Sequence, residues 1–266
     1  MAAHTDPAAG AGFAAAARDV EFQTDGTKVN TWEGWRELRL GIFAKRQRGR
    51  PASADEWDSR RLPAPRARVL FGGIETAERF GPRIRRWAAR LGVRDPEAVT
   101  VLADGAEWIW NQARAQLPGA AGLLDIHHAC EHLAACGQEL YGEGAAEAQT
   151  WLAETLAALL TGDWPALAVR TGAVRRVVRS PARRRALDEL EGYFYRQRGH
   201  LGYAGRLAAG QSIGSGLVEG ACKQVIGRRM RQTGARWRVR RANRMAALCC
   251  ALHGDTWAPY WEQRLD

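Results

Sequence analysis

Three acidic residues stand where the pattern of the chain changes. Asp25 follows the alternating run "DVEFQT", Asp104 follows the apolar run "AVTVLA", and Glu219 lies in the helical stretch "GLVEGACKQVI". Carboxylates gathered at the carboxyl ends of neighbouring strands repel one another unless a cation lies between them. Mg²⁺ or Mn²⁺ is the usual cation, held by a few carboxylates together with phosphate oxygens of a substrate. The constellation therefore points to metal-assisted chemistry at phosphate. Each acid also has a plain reading. Asp25-Gly26 is a hairpin-turn signal, Asp104 suits a helix N-cap, and Glu219 suits an i,i+4 pair with Lys223. Two strand-end aspartates followed by a helix glutamate are more specific together than any one of them.

The elements that must position these groups follow from periodicity. Residues 19–29 and 35–45 alternate apolar and polar, as antiparallel strands do. After a basic polar loop (46–65), "RARVLF" reads as a third strand ending at Gly72-Gly73. Residues 76–91 read as a helix with Thr76 as N-cap and Gly92 as stop. Residues 98–103 are apolar throughout, as a strand covered on both faces would be. A helix over 106–116 and a strand over 121–127 follow. The expectation is an α/β fold, a mixed sheet flanked by helices. From 128 to 198 only helical periodicity is present, with breaks near Gly142-Gly144, Gly162 and Pro181. A Gly-rich connector (199–216), a helix over 217–229 and a last helix near 239–253 close the chain. In domain terms this predicts a disordered lead-in (1–18), a first core part (19–130), an all-helical insertion (131–205) and a closing core part (206–266).

The 266 residues are 46% hydrophobic, enough for a sizeable core, and none of their apolar runs reaches the length of a membrane span. The Ala-rich start lacks a basic segment and is a poor signal peptide. Thirty-nine basic residues against 29 acidic ones leave a net charge of +10, which favours a polyanion partner, above all nucleic acid. The five cysteines form no CxxC pair, so a reducing, cytoplasmic setting is expected. His127, His128, Cys130, His132 and Cys136 lie close together, but their spacing matches no common zinc finger. Cys130 and Cys136 are expected to face the core. The stretch "GRRMRQTGARWRVRRANR" holds Arg228, Arg229, Arg231, Arg236, Arg238, Arg240, Arg241 and Arg244 around Trp237. With Lys223 it is the expected DNA-contact segment, through phosphate contact and stacking. "RRVVRSPARRR" (175–185) is a second basic patch. Trp32 and Trp35 fit either a core or a DNA-facing position.

Four stretches, "TDGTKVNTWEGWRELRLGIFA", "LADGAEWIWNQA", "LLDIHHACEHLA" and "SIGSGLVEGACKQVIGRRMRQTGARW", resemble the catalytic region of bacterial insertion-sequence transposases of the Kra type, relatives of the Mutator-like enzymes. The resemblance covers about residues 19–262, and the last stretch is the most specific. It implies an RNase H-like core with a DDE triad, here Asp25, Asp104 and Glu219. It also implies an accessory pair, Asp125 and His128, from the Asp-x-x-His motif. The implied chemistry is metal-dependent DNA cleavage and strand transfer with two Mg²⁺ or Mn²⁺ ions. The implied partners are double-stranded DNA and further copies of the chain. The first aspartate falls unusually early for this family, as in a truncated copy. The competing expectations are an RNase H-like nuclease without strand transfer, and an inactive remnant that only binds DNA.

Overall fold

The computed structural model describes residue 13 and residues 19–93, 98–258 and 261. The expected lead-in over 1–18 otherwise lies outside the described residues. Phe13 departs from that expectation, since it is buried in the core with the Lys45 ammonium 5.0 Å from its ring centroid.

Strands β1 (Asp19–Thr31) and β2 (Gly34–Arg46) form a long antiparallel hairpin. Strand β3 (Ala67–Ile74) pairs antiparallel with β2. Helix α1 (Ala77–Arg90) follows, with Thr76 as its N-cap residue and Gly92 in the left-handed region at φ 67°. Strand β4 (Val99–Ala103) then returns parallel to β1. Helix α2 (Glu107–Gln116) and strand β5 (Ala121–Leu124) complete a mixed sheet of order β3-β2-β1-β4-β5.

The chain divides into two compact units, one of residues 1–47, 63–121 and 215–266, the other of residues 48–62 and 122–214. In the first unit the alternation of the strands sends two sets of side chains to opposite faces. Phe22, Phe43 and Phe71 pack on one face with Phe80 and Ile84 of α1 and Ile109 and Trp110 of α2. The Phe22 and Phe43 rings lie 4.7 Å apart. Val29, Leu38, Leu40 and Ile42 face the other way. They are covered by α7 (Gly216–Ala221), its continuation to Met230, and the last helix. Gly41 and Gly72 make this sheet possible. A Cβ on Gly41 would lie 2.7 Å from the Phe71 ring, and one on Gly72 would lie 2.8 Å from the Arg39 carbonyl oxygen.

The second unit is helical, as the periodicity predicted. It holds α3 (Ile126–Tyr141), α4 (Ala146–Val177), α5 (Pro181–Gln197) and α6 (Tyr203–Ala208). Helix α4 breaks at Gly162 and Asp163, where Pro165 removes a backbone donor. The expected basic loop joins this unit as well. Gly49 and Ala52 donate backbone hydrogen bonds to Gly210 and Leu207 at 2.8 and 3.0 Å. Tyr203 is fully buried and donates its hydroxyl to the Leu124 carbonyl at 3.0 Å. Among the described residues no helix is long and apolar enough to cross a membrane.

Candidate active site

The hairpin reading of Asp25-Gly26 does not hold. Strand β1 runs unbroken through both residues, pairing Asp25 with Leu40 and Gly26 with Arg39. The turn comes at Trp32-Glu33, where Gly34 takes φ 95° and the Thr31 hydroxyl donates to the Gly34 carbonyl at 2.6 Å. Asp25 is therefore mid-strand rather than strand-terminal. It still stands at an end, because its parallel neighbour is shorter. The β1–β4 register runs from Val20–Val99 to Gln23–Leu102. Just past the end of that pairing, Asp104 lies near enough for its charge to bear on Asp25.

Asp104 is not the N-cap of α2, since that position belongs to Ala106. Its carboxylate instead accepts the Ala106 N–H at 2.9 Å, across Gly105 at φ 90°. This Asx turn ends the strand and fixes the carboxyl group at the strand's carboxyl end.

Glu219 approaches from the helix that covers the same sheet face. The anchor is a polar chain buried under it. The Val218 N–H donates to Gln23 Oε1 at 3.1 Å, Gln23 Nε2 donates to Glu21 Oε2 at 3.1 Å, and Arg46 Nε pairs with Glu21 Oε1 at 3.2 Å. Gln23 is fully buried and Glu21 nearly so. One turn on, the Cys222 thiol donates to Asp25 Oδ2 at 3.7 Å. Glu219 lies three residues before Cys222, on the same helical face, and is exposed with its Oε1 held by the Ser215 hydroxyl at 3.4 Å. Among the described residues it makes no ion pair with Lys223. The helix widens to a π turn over Cys222–Gly227, which shifts the phase of i,i+4 neighbours, and such turns recur at functional sites.

The electrostatics agree with this placement. Burial raises the Asp25 pKa above its ordinary value, the Gly26 N–H opposes that, and the charges of Asp104 and Glu219 raise it further. Burial and the neighbouring Asp25 hold the Cys222 thiol protonated. The three acids thus converge on one region, but among the described residues no group of three His, Cys, Asp or Glu side chains is drawn tightly enough to hold a metal ion. The donor set itself, three carboxylates on one unit, suits a hard cation with oxygen ligands.

The other expected residues divide. Asp125 is 1% exposed and is the N-cap of α3, accepting the His128 N–H at 3.0 Å. The pair does meet, but through a backbone cap. The His128 ring turns to Glu131, Nδ1 to Oε2 3.2 Å, and lies edge-on to His132. His132 stacks on Tyr193 at 3.7 Å, and burial lowers its pKa. Cys136 is buried as expected and Cys130 half-buried, their thiols pushed up to about 12 and about 11 by burial. Lys223, Arg228, Arg229, Arg231, Arg236, Arg238, Arg240 and Arg241 are all exposed. Trp237 is tied down instead. Its backbone pairs with Asn30 and Trp32, and its indole donates to the Met230 carbonyl at 3.1 Å. In the second basic patch, Arg175 is paired to Asp188 and Glu191 at 2.5 and 2.6 Å.

The Glu21–Gln23–Val218 anchor was not anticipated. Its trace in the sequence is the polar series Glu21, Gln23, Asp25 at a spacing of two within a buried strand. No protein-family model and no curated protein matches the chain.

Proposed function

We propose that this chain is the catalytic core of a DDE transposase with an RNase H-like fold, cutting DNA and joining the freed strand to a target. The observation that supports the reading is that Asp25 is buried with Asp104 and Glu219 near enough for both charges to disfavour its ionisation, although among the described residues no three such side chains are drawn tightly enough to hold a metal ion. A carboxylate whose charge is disfavoured by burial and by like charges gains most from a divalent cation. Asp25, Asp104 and Glu219 would hold Mg²⁺ or Mn²⁺, which when bound supplies Lewis-acid stabilisation of the oxygens at the reacting phosphate. The Asx turn at Asp104 and the Cys222 contact to Asp25 hold two of the carboxylates in place. The buried Gln23 contact sets the height of Glu219 along the strand.

The phosphate backbone would be held by the arginines of 228–241. Helix α8 (Val239–His253) opens with Arg238 as N-cap and with Arg240 and Arg241, and no acid lies in its first turn. Cations at the positive end of a helix are unfavourable by themselves. A bound phosphate turns the same arrangement into a favourable one. The Asp125 carboxylate caps α3, and no step is assigned to it or to His128 in this mechanism.

The test is cleavage of a supercoiled plasmid and joining of a labelled end with Mn²⁺ present. Wild type is expected to cleave and join, and Asp104→Ala to do neither while still binding DNA. An Asp104→Ala variant that cleaves at the wild-type rate refutes the triad. The exposure of Glu219 favours a second reading, a chain that binds DNA without cutting it. Cleavage without joined product would point to a nuclease. Binding with neither would point to the remnant.

A further inference from the structure

The end of the β1–β2 hairpin carries two tryptophans that the fold does not use. Trp32 and Trp35 are 64% and 62% exposed, more than any other tryptophan among the described residues. A large ring left in water at one position is ordinary, but two within one turn are not explained by packing. The turn that bears them is also held firmly. Trp32 N–H donates to the Trp237 carbonyl at 3.0 Å, Trp237 N–H donates to the Asn30 carbonyl at 3.1 Å, and Thr31 closes the loop onto Gly34. A stretch of the closing segment thus runs beside the hairpin end, with an isolated parallel bridge from Thr31 to Trp237.

That bracing brings a cation to the Trp32 ring. The Arg236 guanidinium lies 5.2 Å from the Trp32 ring centroid. Arg231 reaches the Thr27 hydroxyl at 3.4 Å, and Arg36 and Arg238 are exposed nearby in sequence to Trp35 and Trp237. Two acids share the region, the exposed Glu33 and Glu37, and Glu37 is already paired to Arg39 at 2.5 Å. An exposed aromatic face with a guanidinium beside it and further arginines close in sequence suits a ligand with a flat ring next to a phosphate. Bases inside a duplex keep their faces stacked on one another. Only an unpaired base offers a free face to an indole.

We propose that Trp32 and Trp35 form a stacking platform for unpaired bases of DNA, with Arg236 and its neighbours holding the adjoining phosphates. The assignment rests on the DNA-cutting reading and deepens it. The site takes distorted, partly unpaired DNA rather than plain duplex.

The experiment is fluorescence anisotropy with two labelled DNAs, a plain duplex and the same duplex carrying a bulge of unpaired thymines, in buffer with EDTA. Wild type is expected to prefer the bulged DNA about 5- to 150-fold, the range of one stacked base. Trp32→Ala/Trp35→Ala should lose that preference and bind both DNAs as wild type binds duplex. Trp32→Phe/Trp35→Phe should keep most of it, which separates stacking from misfolding. Equal binding of the two DNAs by wild type, or an unchanged preference in the double alanine variant, overturns the platform while leaving the DNA reading standing. Failure of wild type to bind either DNA overturns both. Loss of anionic-vesicle binding in the double alanine variant, without any preference for bulged DNA, would assign the tryptophans to a membrane surface and also overturn the platform.

Discussion

Replacing Gln23 by leucine tests the anchor under the candidate site. The side chain keeps nearly its volume, so cavity formation contributes little. What is lost is polar. The Val218 N–H keeps the Ser215 carbonyl at 3.0 Å and loses only its second acceptor, which costs about 0.5–1.5 kcal/mol. Glu21, 4% exposed, also loses the Gln23 amide and keeps Arg46 at 3.2 Å. A lost hydrogen bond to a charged group costs about 1.5–3 kcal/mol, and Arg46 offsets part of it. The two losses share one side chain and do not add in full, so about 2 kcal/mol is expected. Urea unfolding followed by tryptophan fluorescence reads this as a lower midpoint at unchanged slope. The same change removes one polar tie between α7 and β1, so cleavage should fall even under conditions where the variant is fully folded. A loss below about 0.5 kcal/mol, with cleavage intact, would refute the idea that this contact sets Glu219 against Asp25.

The remaining expectations concern charge and backbone. Asp25 binds its proton more tightly in the folded than in the unfolded chain, so its ionisation subtracts stability as pH rises through the ordinary carboxylate range. Asp25→Asn should therefore raise the melting temperature at neutral pH, and the gain should vanish at a pH below about 3.8, where both states are protonated. Melting curves at the two pH values check this, and a gain that grows in acid would reverse the sign of the argument. Gly210 takes φ 66°, and a Cβ there would lie 2.1 Å from the Gly49 carbonyl oxygen. Gly210→Ala should cost about 2 kcal/mol or more, from left-handed strain and from loss of the paired 48–62 segment. Limited proteolysis should then cut within 48–62 sooner than in wild type.

Much of this protein could be read from its sequence alone. The order of strands and helices, the covered strand at 99–103, the Thr76 and Gly92 boundaries and the helix breaks at Gly142, Gly162 and Pro181 all follow from local periodicity and from Gly and Pro chemistry. The exposure of the arginines from 228 to 241 follows in the same way from their charge. What local pattern misjudged was the length of β1. Asp25-Gly26 carries a turn signal, yet the strand passes through it, because thirteen residues of β2 supply an uninterrupted partner. Register is a property of two strands at once, and no local rule contains it. The same reason hides the convergence of the acids. Asp25 and Asp104 come together because β4 stops short of β1, and Glu219 joins them because the buried amide of Gln23 accepts a hydrogen bond from a residue 195 positions later. Trp32, Trp35 and Trp237 look alike in sequence. Only the backbone pairing of the closing segment with the hairpin end decided that Trp237 is fastened to the protein while the other two face solvent.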